Sequence, residues 1–189
     1  MTARSLFLLG FAAALPLGLG CGGGGSDGGT SSPEIACTDG GAAAANAVAL
    51  TCGGATNGTT EQVDVVLGGP AAGTTTLRGL NFDVMYDPAK LEYVPAVTDT
   101  SPLFSPNALV GVTRFNDQPG QLVVTIQEYG TVVNPVSVVT GQNIVLSLSF
   151  RRVAGATFGP TPLEFLNAEA TAASPAISFP GVSGLALSY

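Results

Sequence analysis

The sequence contains no histidine and no tryptophan, and each absence bears on function. Histidine is the side chain whose pKa lies nearest neutral pH, so its absence excludes the triads, dyads and zinc sites that use imidazole. Without tryptophan, four tyrosines are left for stacking sugar rings, and only Tyr129, beside Gly130 in a predicted loop, is expected to be exposed. This argues against a flat, cellulose-type binding surface, although hydrogen-bonded recognition of a glycan end stays open.

Basic residues are also few: 6 Lys and Arg stand against 13 Asp and Glu, which gives a net charge of −7. Nucleic-acid binding requires clustered Lys and Arg that displace counterions from phosphates. The pair Arg151–Arg152 is the one basic cluster, so we predict no nucleic-acid partner. Only 10% of the residues are charged and 46% are hydrophobic, and such a chain is expected to fold.

Catalytic and metal-binding motifs are missing as well. A glycosidase needs two carboxyl groups about 5–9.5 Å apart in a cleft. No motif of that kind surrounds the acids that could supply them, which are Asp64, Asp83, Glu92, Glu128 and Glu164. The chain has no Asp-x-Asp-x-Asp-Gly calcium loop and no glycine-rich phosphate loop before a helix. We predict that the protein is not an enzyme and that it uses no metal or other cofactor.

The N-terminus, residues 1–20, has the pattern of a secretory signal. Arg4 supplies a positive charge, and the apolar run Leu6–Leu15 is shorter than the roughly 20 residues that span a bilayer. The segment Leu17–Cys21 resembles the lipobox of bacterial lipoproteins, whose Cys is diacylated and becomes the first mature residue. The resemblance implies lipidation of Cys21 and anchoring to the outer membrane or cell surface. The alternative is ordinary secretion with Cys21 as a free thiol.

Residues 21–45 are predicted to be a tether, because Gly22–Ser32 is a Gly- and Ser-rich coil without side chains that pack. Two further cysteines follow, Cys37 and Cys52, and an exported protein is expected to join them in a disulfide. Closing a loop of this size stabilises the fold by about 3 kcal/mol in the chain-entropy model. A metal site is the weaker interpretation, since two cysteines without histidine do not complete a zinc site.

From about Ala47 onward, apolar residues recur at every second position, which predicts β-strands with one buried face. The predicted strands are Glu61–Leu67, Leu80–Val84, Leu122–Ile126, Ile144–Phe150, Leu163–Leu166 and Leu185–Tyr189, with turn residues such as Asp87-Pro88 and Asn116–Gly120 between them. Ala42–Leu50 is the one stretch that a short helix also fits. We predict an all-β fold, an antiparallel β-sandwich with jelly-roll topology and about nine strands.

Five phenylalanines are the best candidates for the core: Phe82, Phe115, Phe150, Phe165 and Phe179. A ligand platform is the alternative for each of them. Among the turns, Pro88 ends its strand, and Asp87 can hold the turn by accepting backbone N–H groups. A calcium ligand or a catalytic acid is the lesser alternative for Asp87.

The stretch Leu80–Val94 resembles the signature of cohesin domains: an apolar-alternating strand, then Tyr-Asp-Pro at 86–88, two variable residues and Leu-Glu at 91–92. Weaker matches occur in the family's order, at Gly58–Thr60, Gly120–Val124, Gly141–Phe150 and Arg151–Gly155. The resemblance covers most of the chain after the tether, so we place the folded domain at 46–189. It implies a nine-stranded jelly roll.

Cohesins bind dockerin modules of cellulosomal enzymes through one sheet face. The resemblance implies a partner-binding face formed by Asn81, Asp83, Met85, Thr113, Thr125 and Gln127. We therefore expect a non-catalytic surface module, tethered by a lipid anchor, that docks a dockerin-like protein in polysaccharide-degrading or adhesive assemblies. The alternatives are a carbohydrate-binding module that recognises polysaccharide and a structural envelope lipoprotein, and the face itself could be merely solvated.

Overall fold

A computed structural model describes residues 35–115, 117–129, 135–157, 159–179 and 182–188, and only the backbone at 55–57 and 182–184. The predicted signal, the lipidation residue Cys21 and the Gly- and Ser-rich coil lie outside these residues. The described part forms twelve β-strands and no helix: β1 Ala36–Thr38, β2 Val48–Asn57, β3 Thr60–Gly68, β4 Thr75–Leu77, β5 Gly79–Met85, β6 Leu91–Val94, β7 Leu109–Arg114, β8 Gln121–Gln127, β9 Val136–Val138, β10 Gln142–Arg152, β11 Thr161–Thr171 and β12 Val182–Ser188.

The strands pair antiparallel in three sheets. The large sheet has the order β1-β12-β11-β5-β8-β7, the small sheet has the order β2-β3-β10-β6, and β4 pairs with β9. Three of the twelve strands, β1, β4 and β9, have three residues each, which leaves nine longer strands. The all-β sandwich predicted from the sequence is therefore confirmed.

The core lies between the two larger sheets and takes the inward residues of both. Val63 and Val65 of β3 and Phe150 of β10 come from the small sheet, and Phe82 and Val124 come from the large one. Phe82 and Phe165 meet edge to face with ring centroids 5.4 Å apart. Because successive side chains of a strand point to opposite faces, burying these residues fixes which residues face outward.

The chain joins the sandwich earlier than the predicted domain boundary. Ile35 is buried in the core, and β1 pairs with β12, although both fall within the predicted tether. Ala42–Leu50 is not helical either, because Asn46 takes a positive φ in a turn and β2 begins at Val48. Both corrections have one cause: pairing with distant strands overrides a local Ala- and Gly-rich composition.

Two predicted core positions are wrong. Phe115 is 44% exposed, because it lies just beyond the end of β7. Its burial was predicted from its aromatic character alone. Ile144 is also exposed, because a bulge between Ile144 and Leu146 shifts the alternation of β10 and buries Val145 instead. Phe82, Phe150 and Phe165 are buried as predicted, and Phe179 packs against the core.

Cys37 and Cys52 form a disulfide, as predicted, with an S–S distance of 2.17 Å. Cys37 lies in β1 at one edge of the large sheet, and Cys52 lies in β2 at one edge of the small sheet. The Cys52 backbone N–H also donates to Asp39 Oδ2 at 2.9 Å. The bond therefore closes one side of the sandwich.

Within the described residues, no helix has the length and apolarity needed to cross a bilayer.

Candidate functional site

The six residues predicted for partner binding lie on the outer face of four adjacent strands, β11-β5-β8-β7, which we call the outer face. The buried Leu80, Phe82 and Val84 turn the alternate residues Asn81, Asp83 and Met85 outward, and β8 and β7 follow the same rule. The register places Asn81 opposite Thr125, which in turn lies opposite Gly111. Asp83 lies opposite Val123, which lies opposite Thr113, and Gln127 lies opposite both Gly79 and Leu109.

Strand β11 adds residues to this face that the sequence did not reveal. Glu164 lies opposite Met85, Leu166 opposite Asp83 and Glu169 opposite Asn81. The sequence predicted only a short strand here, because a bulge between Leu166 and Glu169 interrupts the alternation that would have marked a longer one. Asn167 in the bulge has a φ of 50°, a conformation that Asn tolerates better than most residues.

Asp83 is the centre of a small polar network on the outer face and is only 6% exposed. Its Oδ2 accepts hydrogen bonds from Gln121 Nε2 at 2.8 Å and from Asn167 Nδ2 at 2.6 Å. A buried carboxylate is costly unless it has such donors. Asp83 therefore holds Gln121 and Asn167 in place and ties β5 to β8 and β11, so its role is structural and it is not an exposed contact.

The outer face exposes side chains of three kinds: polar, acidic and apolar. Glu164, Glu169, Thr113 and Gln127 are exposed. Two leucines, Leu166 and Leu109, are 50% and 58% exposed on the outermost strands of the face. No Lys or Arg occupies any described position of this face on the four strands. The surface thus combines two exposed leucines with negative charge.

Four of the five carboxylates considered for catalysis have separate structural partners, and Glu164 is exposed. On the small sheet, Asp64 accepts from Gln62 Nε2 at 2.8 Å and from Ser147 Oγ at 2.6 Å. Glu92 pairs with Arg151 Nε at 2.9 Å, and Glu128 accepts from Ser105 N at 2.7 Å. Asp83 belongs to the network described above.

Asp87 holds the turn that follows β5. Its Oδ1 accepts from the backbone of Ala89 at 2.9 Å, and its carbonyl accepts from Lys90 and Leu91. The turn-forming interpretation of the Tyr-Asp-Pro motif is therefore confirmed. Among the described residues, no group of three or more His, Cys, Asp or Glu side chains is placed to hold a metal ion.

No family model and no curated protein matches the chain. Several solved structures do match the chain. CaCohA2 of Clostridium acetobutylicum is 18% identical with a TM-score of 0.51, over 72% of this chain and 88% of that one. The sixth cohesin of scaffoldin B from Acetivibrio cellulolyticus, solved with a mutant Cel5 dockerin, is 16% identical with a TM-score of 0.48, over 71% and 94%.

A third match is the cohesin module of a family 33 glycoside hydrolase from Clostridium perfringens. It is 12% identical with a TM-score of 0.46, over 74% of this chain and 92% of that one. At these sequence identities the matches concern the fold alone. The fold assignment depends on the match to CaCohA2, whose TM-score is 0.51. The resemblance seen at Leu80–Val94 and the architecture of the sandwich agree: this chain has the fold of cohesin modules.

Proposed function

We propose that this protein is a non-catalytic docking module that binds a protein partner on its outer face. The observation that carries the proposal is the placement of the six predicted residues. They come from β5, β7 and β8, which lie side by side on one face of the large sheet, and the buried Asp83 supports this face by binding Gln121 of β8. That surface is a continuous patch of four paired strands, which suits the docking of a protein partner.

The partner proposed is a dockerin-like module. The cohesin-like signature at Leu80–Val94 and the cohesin fold support this choice, since dockerins are the partners of that family. The exposed Leu109 and Leu166 supply apolar anchors, and the polar residues between them supply a hydrogen-bonding surface. Such a mixture is typical of interfaces in which a few anchors carry most of the binding energy.

We also propose that the module is exported and held at a membrane by a lipid on Cys21. The lipobox-like segment and the Gly- and Ser-rich coil after it support the anchor. The Cys37–Cys52 disulfide supports export, because such bonds persist in oxidising compartments. The coil would let the folded domain reach a partner away from the bilayer.

The docking proposal is tested by surface plasmon resonance with the full chain and a panel of purified dockerin modules, beginning with the Cel5 dockerin. We expect at least one to bind. Thr125→Arg or Asn81→Arg should weaken binding about 30-fold or more, because a long charged side chain at the centre of an interface removes a contact worth roughly 2 kcal/mol.

Ser149→Arg is the matched control, because Ser149 is a half-buried residue that faces outward on the other sheet. It should bind as the unmodified protein does. Equal weakening by Ser149→Arg, or full binding by both outer-face variants, would remove the proposed face. No binding to any dockerin would leave the fold without the proposed partner.

A further inference from the structure

A groove runs along the open side of the sandwich, away from the outer face. β6 is the edge strand of the small sheet and β7 is the edge strand of the large sheet, on the side opposite the disulfide. Two adjoining hollows lie between them and share Glu92 and Arg114. We call this the edge groove. The first hollow, of about 280 Å³, is lined by residues that include Tyr86, Pro88, Phe115 and Pro119. The second, of about 330 Å³, adds Tyr93, Pro95 and Val112.

The shared pair supplies both kinds of hydrogen-bonding group. The Arg114 guanidinium offers only donors, and an ionised carboxylate such as Glu92 offers only acceptors. Hydrogen bonding from Arg151, and then the charges of Arg151 and Arg114, lower the pKa of Glu92, so it stays an acceptor at neutral pH. Arg151 Nε contacts Oε2 of the Glu92 carboxylate at 2.9 Å.

Tyr86 forms part of the floor of the groove and is buried. Burial raises the pKa of Tyr86, while the positive charge of Arg114 opposes the shift. The Tyr86 ring also packs against Phe150 with centroids 5.4 Å apart. Arg114 lines the same hollow as this buried tyrosine.

Phe115 gives the first hollow an aromatic surface. This residue was expected in the core, yet it lines the hollow and is 44% exposed. An exposed ring beside a donor and an acceptor matches the chemistry of a sugar. The C–H face of a sugar ring packs on an aromatic ring, and each hydroxyl can accept from Arg while donating to Glu.

From this arrangement we propose that the edge groove binds a neutral oligosaccharide, one ring in each hollow, with Phe115 as the stacking surface and Arg114 and Glu92 as hydrogen-bonding partners. The volume of the two hollows together falls in the range of roughly 300–1,000 Å³ that small-ligand sites occupy. The opposite charges of the shared pair favour a neutral ligand. The three prolines lack backbone N–H groups, which disfavours strand addition by a peptide.

The site is independent of the docking face, because the edge groove and the outer face use different residues. It would give one module two kinds of partner, a protein on its large sheet and a glycan at its open side.

The test is calorimetric titration of the full chain, purified in detergent, with cellobiose, xylobiose and mannobiose, and with digalacturonate as the anionic comparison. We expect one neutral disaccharide to bind. Phe115→Ala and Arg114→Gln should each weaken it about tenfold or more, because each removes a contact that a charged or aromatic group makes. Thermal unfolding of each variant, followed by circular dichroism, reports whether it has folded.

Tyr129→Ala is the matched control, since Tyr129 is 81% exposed and lies outside the groove. It should bind the disaccharide as the unmodified chain does. The proposal is overturned if no neutral disaccharide binds at tens of millimolar, if digalacturonate alone binds, or if folded Phe115→Ala binds unchanged. Thr125→Arg should leave sugar binding intact, so failure here is distinct from failure of the docking proposal.

Discussion

A single buried carboxylate organises the centre of the outer face. Asp83 lies among side chains that an interface would use, yet its Oδ2 is committed to Gln121 and Asn167. The sequence placed Asp83 on this face but could not show its burial, because burial depends on the bulge of β11 that brings Asn167 across. The carboxylate sets the positions of two amides on the outer face.

We expect Asp83→Ala to destabilise the fold by about 1–3 kcal/mol, because it leaves the amides of Gln121 and Asn167 without their shared acceptor. Urea unfolding followed by circular dichroism measures the loss. Glu164→Ala is the control, since this acid is exposed on the same face and should change stability by less than about 0.5 kcal/mol. Equal stability of Asp83→Ala and the unmodified protein would contradict the structural role.

At the scale of elements, the short strand β1 depends on more than its own pairing. It has three residues, and they pair with Ser188, Leu187 and Ala186 of β12. The disulfide from Cys37 then ties it to β2 in the other sheet, and Ile35 adds a buried apolar side chain beside it. A strand this short would fray readily without these two attachments.

Replacing both cysteines, Cys37→Ser with Cys52→Ser, should lower the free energy of unfolding by about 3 kcal/mol. Hydrogen exchange should accelerate at β1 and at its partner residues in β12, while β5 and β8 exchange slowly as before. Urea unfolding and amide exchange measure the two effects. A uniform acceleration over all strands would show that the bond stabilises the whole fold and not this edge in particular.

The sequence predicted the elements well where alternation is regular. β5 and β8 keep strict period two, and their inward and outward residues were assigned correctly from that pattern. β10 and β11 contain bulges, and each bulge displaces the pattern by one residue, so Ile144 was placed on the wrong face and β11 was predicted too short. The short strands β1, β4 and β9 carry too few residues for any period.

The candidate site, like the strands, could be predicted from the sequence only in part. The outer-face positions on β5, β7 and β8 followed from the cohesin-like signature and the alternation around it. The outer-face positions on β11 could not be predicted in this way. The edge groove could not be predicted either, because it forms where two edge strands from different sheets approach each other. Phe115 illustrates the limit: residue type suggested burial, but only the tertiary arrangement shows that its ring lines a groove.

Charge is distributed unevenly over the whole molecule. The net charge is −7, and the outer face carries Glu164 and Glu169 without any Lys or Arg among its described strand positions. Arg114, Arg151 and Arg152 instead lie at the ends of β7 and β10, near the edge groove. A partner that approaches the outer face therefore meets a negative potential.

Association with a basic partner on the outer face should slow several-fold as salt is raised from about 50 to about 500 mM, while dissociation changes less. Stopped-flow or surface plasmon resonance kinetics with the dockerin that binds best measure both rates. The double variant Glu164→Gln with Glu169→Gln should associate more slowly at low salt and respond less to salt. An association rate that salt does not affect would argue against electrostatic steering.

The bond between Cys37 and Cys52 also determines how the domain responds to mechanical force. Tension on a leader that enters at β1 would, without that bond, strip three residue pairs from β12 one after another. With the bond in place, the pull passes through a covalent link into β2 and is shared by both layers of the sandwich. The first strand of the domain is thus joined covalently to the second sheet.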